Sequence, residues 1–188
     1  MKVNGNTIKP GNVIEHKNGL WVAVKTSHVK PGKGGAFAQL ELRNLKDGTK
    51  LNERFRSSEN IERVILEEIP HVFLYKENNN LIFMNNNTFE QINIDKNMIG
   101  DQSLFLQDGM NVIINIYNEE AVSVNMPDSC ILEVVEADAV IKGQTVSSSF
   151  KPAMLNNGVK VMVPGHIEVG AKIVVRPSDS TYIEKSKT

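Results

Sequence analysis

Two runs, Leu20-Trp21-Val22-Ala23-Val24-Lys25-Thr26 and Ala36-Phe37-Ala38-Gln39-Leu40-Glu41-Leu42, flank the segment Val29-Lys30-Pro31-Gly32-Lys33-Gly34-Gly35. The first run is apolar and β-branched. In the second, Ala36, Ala38, Leu40 and Leu42 alternate with Phe37, Gln39 and Glu41, the period of a strand with one buried face. Two strand-like runs around a Pro/Gly segment predict a β-hairpin with a long loop. Pro31 fixes its own φ and removes a donor, while three glycines lack a Cβ and tolerate φ > 0. The product is a slim finger with the Lys33 ammonium at its summit. A solvated lysine is ordinary at a hairpin tip, so position alone assigns Lys33 no role. A phosphate-cradling P-loop needs Ser or Thr after its Gly-Lys pair and then a helix. Here Gly34 follows and a strand pattern comes next, which excludes that motif.

Outward from the finger the chain keeps the same character. Short runs rich in Val, Ile, Leu and aromatics occur at Trp21–Lys25, Phe73–Tyr75, Leu81–Met84, Asn111–Tyr117, Ala121–Met126, Ile131–Val135, Val159–Val163 and Lys172–Arg176. Turn residues separate them, as in Asn44–Gly48, Glu77–Asn80, Asn118–Glu120, Leu155–Gly158 and Pro177–Asp179. Helical periodicity is confined to short pieces near Lys96–Ile99 and Ser103–Leu106. Strands at this cadence predict an all-β chain of small barrels. Prolines before new strands, at Pro70 and Pro127, divide it into 1–64, 65–127 and 128–188. Each piece has about 60 residues, the lower range for an independent core.

Charge divides along the same lines. Residues 1–64 carry 12 Lys/Arg against 6 Asp/Glu, residues 65–127 carry 2 against 9, and residues 128–188 carry 7 against 7. The overall charge of −1 conceals a basic block that suits a polyanion and an acidic block that such a partner would repel. Hydrophobic content of 40% with 23% charged residues is that of a globular chain. No apolar run reaches the roughly 20 residues of a membrane helix, and Met1–Asn6 lacks the pattern of a secretory signal. The single cysteine, Cys130, lies beside Ile131 and Leu132, which predicts a buried structural thiol in a reducing cytoplasm. His16, His28, His71 and His166 are isolated, with neither HExxH nor CxxC, so no metal ligand set and no cofactor motif is indicated. Glu67-Glu68 and Glu119-Glu120 are adjacent pairs whose side chains diverge in a strand, and there is no nucleophile elbow. The expectation is a non-catalytic protein.

Two long signatures then point in one direction. Lys30-Pro31-Gly32-Lys33-Gly34-Gly35-Ala36-Phe37 and the stretch from Lys151 to Gly170 (KPAMLNNGVKVMVPGHIEVG) together resemble the bacterial elongation factor P family. The second has the form K-x-A-x(4)-G-x(2)-V-x-V-P-x(2)-I-x(2)-G. Likeness continues through Asn52–Phe55, Phe83–Asn85, Thr88–Gln91, Leu132–Val135 and Ile141–Gly143, so it covers essentially the whole chain.

The resemblance implies a monomeric, L-shaped, tRNA-like protein with an N-terminal KOW/SH3-like barrel and two OB-type barrels. Such factors bind the 70S ribosome between the P and E sites and relieve stalling at consecutive prolines. It places Lys33 at the family's modified-lysine position, a target for β-lysylation by a lysine-modifying enzyme. Lys25, Lys30, Arg43, Arg54 and Arg56 become candidate contacts to P-site tRNA, peptidyl-prolyl or initiator. Gly100-Asp101 matches a family loop near the E-site tRNA. Gly143-Gln144-Thr145 stands where the family often has Gly-Asp-Thr near the E-site mRNA codon. At the C-terminus Tyr182 and Lys185 keep an aromatic–basic spacing, with lysine where arginine is common. The alternatives are the elongation factor P-like paralogue, whose tip typically lacks this Pro-Gly-Lys-Gly arrangement, and a general OB-fold nucleic-acid binder. The latter expects exposed aromatics on a basic groove.

Overall fold

The computed structural model describes residues 1–139 and 149–187. Among these the chain is all-β, as its turn cadence predicts. Its strands are β1 (Lys2–Asn4), β2 (Val13–His16), β3 (Gly19–Val29), β4 (Phe37–Asn44), β5 (Lys50–Arg56), β6 (Asn60–Val64), β7 (Glu67–Glu77), β8 (Asn80–Asn85), β9 (Gln91–Asp95), β10 (Asn111–Tyr117), β11 (Glu120–Asn125), β12 (Cys130–Ala137), β13 (Phe150–Leu155), β14 (Lys160–Pro164), β15 (Lys172–Arg176) and β16 (Thr181–Lys185). The one α-helix described, α1 (Lys96–Ile99), is a single turn and runs into a 3-10 turn, Gly100–Phe105. Both stand where the short helical patterns are.

Three sheets result, ordered β1-β6-β2-β3-β4-β5, β11-β10-β7-β8-β9 and β14-β13-β12-β15-β16. The chain gathers into two compact units, Met1–Pro70 with Ile113–Val124, and His71–Val112 with Asn125–Thr188.

In the first unit, Ile8, Ile14, Trp21, Ala23, Ala38, Leu40, Leu42, Phe55 and Ile61 form one buried cluster. The alternation read from β4 is realised: Ala38, Leu40 and Leu42 are fully buried. The Trp21 indole satisfies its donor by bonding the His16 carbonyl oxygen at 2.8 Å. β3 runs further than its apolar pattern, through Ser27 and His28 to Val29. A bulge between Ala23 and Lys25 shifts its register on β4, so that Thr26 and His28, rather than Lys25, stand opposite Leu40 and Ala38. One extra residue thereby changes which face the rest of the strand presents.

In the second unit, Phe73 and Phe83 face each other across β7 and β8 with ring centroids 5.4 Å apart. The third sheet closes a core of Leu132, Val134, Ala153, Leu155, Val161, Val163, Ile167, Ile173 and Val175, with Cys130 and Phe105 among them. Burial raises the Cys130 thiol above its ordinary pKa, as befits a structural cysteine. Pro152 interrupts β13, yet it pairs only with Met162 of β14, because pairing with β12 begins at Ala153. No backbone donor is needed from it on that side.

Candidate nucleic-acid interface

The finger comprises residues 30–36 between β3 and β4, whose last paired rung is Val29 opposite Phe37. Lys30 through Gly35 are exposed. Only Gly34 of its three glycines has a left-handed backbone, at φ 114°, and a Cβ there would lie 3.8 Å from the Pro31 ring. At Gly32 and Gly35 a Cβ would meet nothing within 4 Å. Neither position has the positive φ that would exclude a side chain. Internal packing therefore leaves room for side chains at 32 and 35, and their bareness is not required by the fold. A backbone without Cβ atoms suits close approach by another molecule.

Register decides what surrounds the root of the finger. Val29, Phe37 and Arg56 form one rung, and Ser27, Gln39 and Arg54 the next. Lys25, Glu41 and Asn52 form a third, and Val22, Arg43 and Lys50 a fourth. Directly paired residues share a face. Lys25, Arg43, Lys50, Arg54 and Arg56 therefore lie on the outer face of β3–β4–β5, opposite the buried Ala38, Leu40, Leu42 and Phe55. All five are exposed. The Arg54 guanidinium lies over the Phe37 ring, 3.9 Å from its centroid.

Among the described residues, ion pairs link the Met1 ammonium to Glu62, His16 and Lys17 to Glu53, and Arg176 to Asp179. None involves a cation of the finger or of this outer face. Glu53 belongs to the opposite face, where the Lys17 ammonium hydrogen-bonds it and His16 lies 3.6 Å away. That hydrogen bond, joined by the charges of Lys17 and His16, holds the Glu53 carboxyl below its ordinary value. The basic block thus spends its nearest inner carboxylate away from the outer cations. Seven cationic residues (Lys25, Lys30, Lys33, Arg43, Lys50, Arg54 and Arg56) remain without intramolecular carboxylate partners among the described residues, an arrangement suited to a polyanion.

The structure brings Lys25, Arg43, Arg54 and Arg56 together on the sheet that carries Lys30–Gly35. Lys50 joins them only through the register, because β5 (KLNERFR) is too charged for its strand character to be read from apolar content, and the same pairing brings Phe37 of β4 to Arg54. Gly100 and Asp101 belong to the second unit. Gly100 caps α1 with φ 70°, and Asp101 is exposed in the first turn of the 3-10 segment. Tyr182 packs half-buried on the core of the third sheet, and Lys185 is exposed at the end of β16. Gly143, Gln144 and Thr145 lie outside the described residues. No group of three or more potential metal ligands occurs among the described residues, and none of their helices is long and apolar enough to cross a membrane.

Family models match along the chain in three consecutive parts. Residues 4–61 match the "Elongation factor P (EF-P) KOW-like domain", 66–124 the "Elongation factor P (EF-P) OB domain", and 131–185 "Elongation factor P, C-terminal". Over 186 residues the chain is 53% identical to a protein of Chelativorans sp. named "Elongation factor P", covering 99% of this chain and 100% of that protein. It is 54% identical over the same length, with the same coverage, to a protein of that name from Parvibaculum lavamentivorans. Among solved structures, "Eukaryotic translation initiation factor 5A from Methanococcus jannaschii" aligns with a TM-score of 0.55 at 22% identity. That alignment covers 68% of this chain and 92% of the other, a likeness of fold.

Proposed function

The chain belongs to the elongation factor P family of translation elongation factors, and on that premise we propose that it binds the 70S ribosome between the P and E sites and assists peptide-bond formation at consecutive prolines. The observation that carries this reading is the finger itself: exposed from Lys30 to Gly35, bare at Gly32 and Gly35 without an internal reason, and tipped by Lys33.

Lys33 offers three donors, which suit phosphate, ribose 2′-hydroxyl or base oxygens near the acceptor end of P-site tRNA. Lys25, Lys30, Arg43, Arg54 and Arg56 would hold the tRNA backbone while the tip is delivered. Their contribution is electrostatic and independent of sequence, which suits peptidyl-prolyl and initiator tRNA alike. The protein need supply no acid or base, because orienting two poor reactants can itself lower the barrier. An enzyme that lysylates Lys33 would add reach and a second ammonium. We further assign working parts at 1–64, 65–127 and 128–188, a division that parallels the three successive family matches, and Gly100, Asp101, Tyr182 and Lys185 as further RNA contacts. The codon-facing role belongs to Gly143-Gln144-Thr145, with the Gln144 amide both donating and accepting. Monomeric action in the cytoplasm completes the proposal.

The deciding experiment is reconstituted translation of a template with a proline run. Lys33→Ala is expected to abolish the gain in full-length peptide. Gly32→Ala and Gly35→Ala are expected to keep wild-type stability and lose much of that gain, since each Cβ has space in the free protein. Undiminished peptide output from Lys33→Ala would overturn the reading.

A further inference from the structure

Among the described residues Arg54 is the one cation of the outer face that packs against an aromatic ring, and its partner is the first strand residue after the finger. In β-sheet register Arg54 opposes Gln39, and Phe37 is its diagonal neighbour two residues along β4. The guanidinium carbon sits 3.9 Å from the ring centroid, so the two planes can share their faces. A stacked guanidinium keeps its five N–H donors in its own plane and therefore free at the edge. Among the described residues no carboxylate pairs with that edge.

Exposed arginines ordinarily sample many rotamers, and ordering them on binding costs entropy. Contact with the ring narrows the rotamers open to Arg54 before any partner arrives. It lies along the sheet toward the root of the finger, with its donor edge unoccupied.

We propose that Phe37 is a positioning residue: its ring pre-orders Arg54 as a planar donor fork for an RNA phosphate at the base of the finger. This rests on the translation-factor reading above and deepens it by naming how one phosphate contact is fixed. Phe37 touches no RNA in this account. It acts through Arg54, at the point where the finger's geometry is set by the Val29–Phe37 rung. A lysine at 54 would retain the charge without the plane, so the charge-conserving exchange is informative.

The test uses the full chain with Phe37→Tyr, Phe37→Leu, Arg54→Lys, Arg54→Ala and the Phe37→Leu/Arg54→Ala double variant. Affinity is measured for 70S ribosomes carrying peptidyl-prolyl-tRNA in the P site, over a range of salt. Nitrogen-15 spectra of the Arg54 Nε–H group report the stack directly, since a ring above it displaces its proton resonance. Fluorescence of Trp21 and circular dichroism verify folding. Phe37→Leu is expected to weaken binding by about two- to five-fold, the size of an exposed cation–π contact, and to abolish the displaced resonance. Phe37→Tyr keeps both properties, Arg54→Lys weakens binding as Phe37→Leu does, and the double variant binds no worse than Arg54→Ala. Full additivity of Phe37→Leu and Arg54→Ala, or an Arg54 resonance that Phe37→Leu leaves in place, overturns the proposal. Should Phe37→Leu fail to fold, Arg54→Lys decides: wild-type affinity at every salt concentration overturns the fork. Wild-type protein that fails to bind these ribosomes at all removes the translation reading and this proposal together. A null result confined to Phe37 and Arg54, with Lys33→Ala still defective, removes this proposal alone.

Discussion

Phe105→Ala asks whether the 3-10 turn Gly100–Phe105 is part of the core of the third sheet. Phe105 is 1% exposed and clusters with Leu132, Val134, Leu155, Val161 and Ile173, all contributed by strands that come later in the chain. Two side-chain bonds fasten its neighbours to the same sheet. The Gln107 amide donates to the Ile131 carbonyl at 2.8 Å, and the Asn157 amide donates to the Leu104 carbonyl at 3.1 Å. With the turn held on both sides, the site cannot easily collapse around a smaller residue, so the cavity persists. Truncating a fully buried phenylalanine to alanine then costs about 3–5 kcal/mol. For a loss of about 4 kcal/mol and a urea slope of about 2 kcal/mol per molar, the midpoint falls by about 2 M.

Cys130 provides an internal probe of the same event. It is the chain's single cysteine and lies in the Phe105 cluster, 8% exposed. Its reaction with a thiol reagent at neutral pH reports opening of that core, and the rate is expected to rise by about two to three orders of magnitude in Phe105→Ala. Leu104→Ala is the control, because Leu104 precedes Phe105 in the same turn yet is 44% exposed. Its cost should stay below about 1 kcal/mol. Equal urea midpoints for the two variants, or unchanged Cys130 labelling in Phe105→Ala, would refute the placement of Phe105 in this core.

Glu53→Gln is expected to lower stability at neutral pH, with an effect that fades in acid below the ordinary carboxyl value of 4.5. The folded Glu53 carboxyl titrates below its ordinary value of 4.5, chiefly through the Lys17 hydrogen bond, so its contribution is present above that value and vanishes as pH falls through the folded one. The pair is partly exposed, so the difference should be below about 1 kcal/mol, read from urea midpoints at neutral and at acid pH. A larger effect in acid than at neutrality would contradict the sign. Gly34→Ala should differ from its neighbours: at φ 114° an added Cβ strains the backbone, and the finger must shift. Backbone amide shifts across residues 30–36 should move in Gly34→Ala and stay near wild type in Gly32→Ala. Identical spectra for both would show that the turn does not depend on that conformation.

The hairpin and its finger were legible because proline and glycine interrupt two apolar runs abruptly, and a change of period is the strongest signal a sequence carries. β4 is a clear case, with Ala38, Leu40 and Leu42 buried as their alternation requires. β5 was not legible. Its Leu51 and Phe55 point inward, but Lys50, Asn52, Arg54 and Arg56 dominate its composition. The extension of β3 through Ser27 and His28 to Val29 escaped for a related reason, since that end of the ribbon is largely exposed and needs no apolar face. Phe105 was readable as an apolar residue in a short turn, but nothing local says that its ring fills a core built by β12 to β15. The Arg54–Phe37 contact likewise depends on residues 17 positions apart and on the pairing of β4 with β5. Single-residue chemistry and the local hairpin were visible, and the register and pairing beyond it were not.

The logic of the site lies in what its charges are not used for. A basic block of this size could have lowered its self-repulsion by pairing with its own carboxylates, and Glu53 is available on β5 between Arg54 and Asn52. The pleat prevents it: successive side chains point to opposite faces, so Glu53 meets the exposed Lys17 on one face while Arg54 and Asn52 lie on the other. On the outer face Glu41 stands opposite Lys25 in register, but the two form no ion pair. The same sheet thus neutralises charge where it packs and leaves it unneutralised where the finger emerges. Unpaired surface cations add little to the stability of the free protein, and crowding them costs some. Their arrangement is rational for binding, because a phosphate backbone supplies the missing anions and releases its own counterions. The bare glycines follow the same reasoning, since they leave space into which a partner can come close.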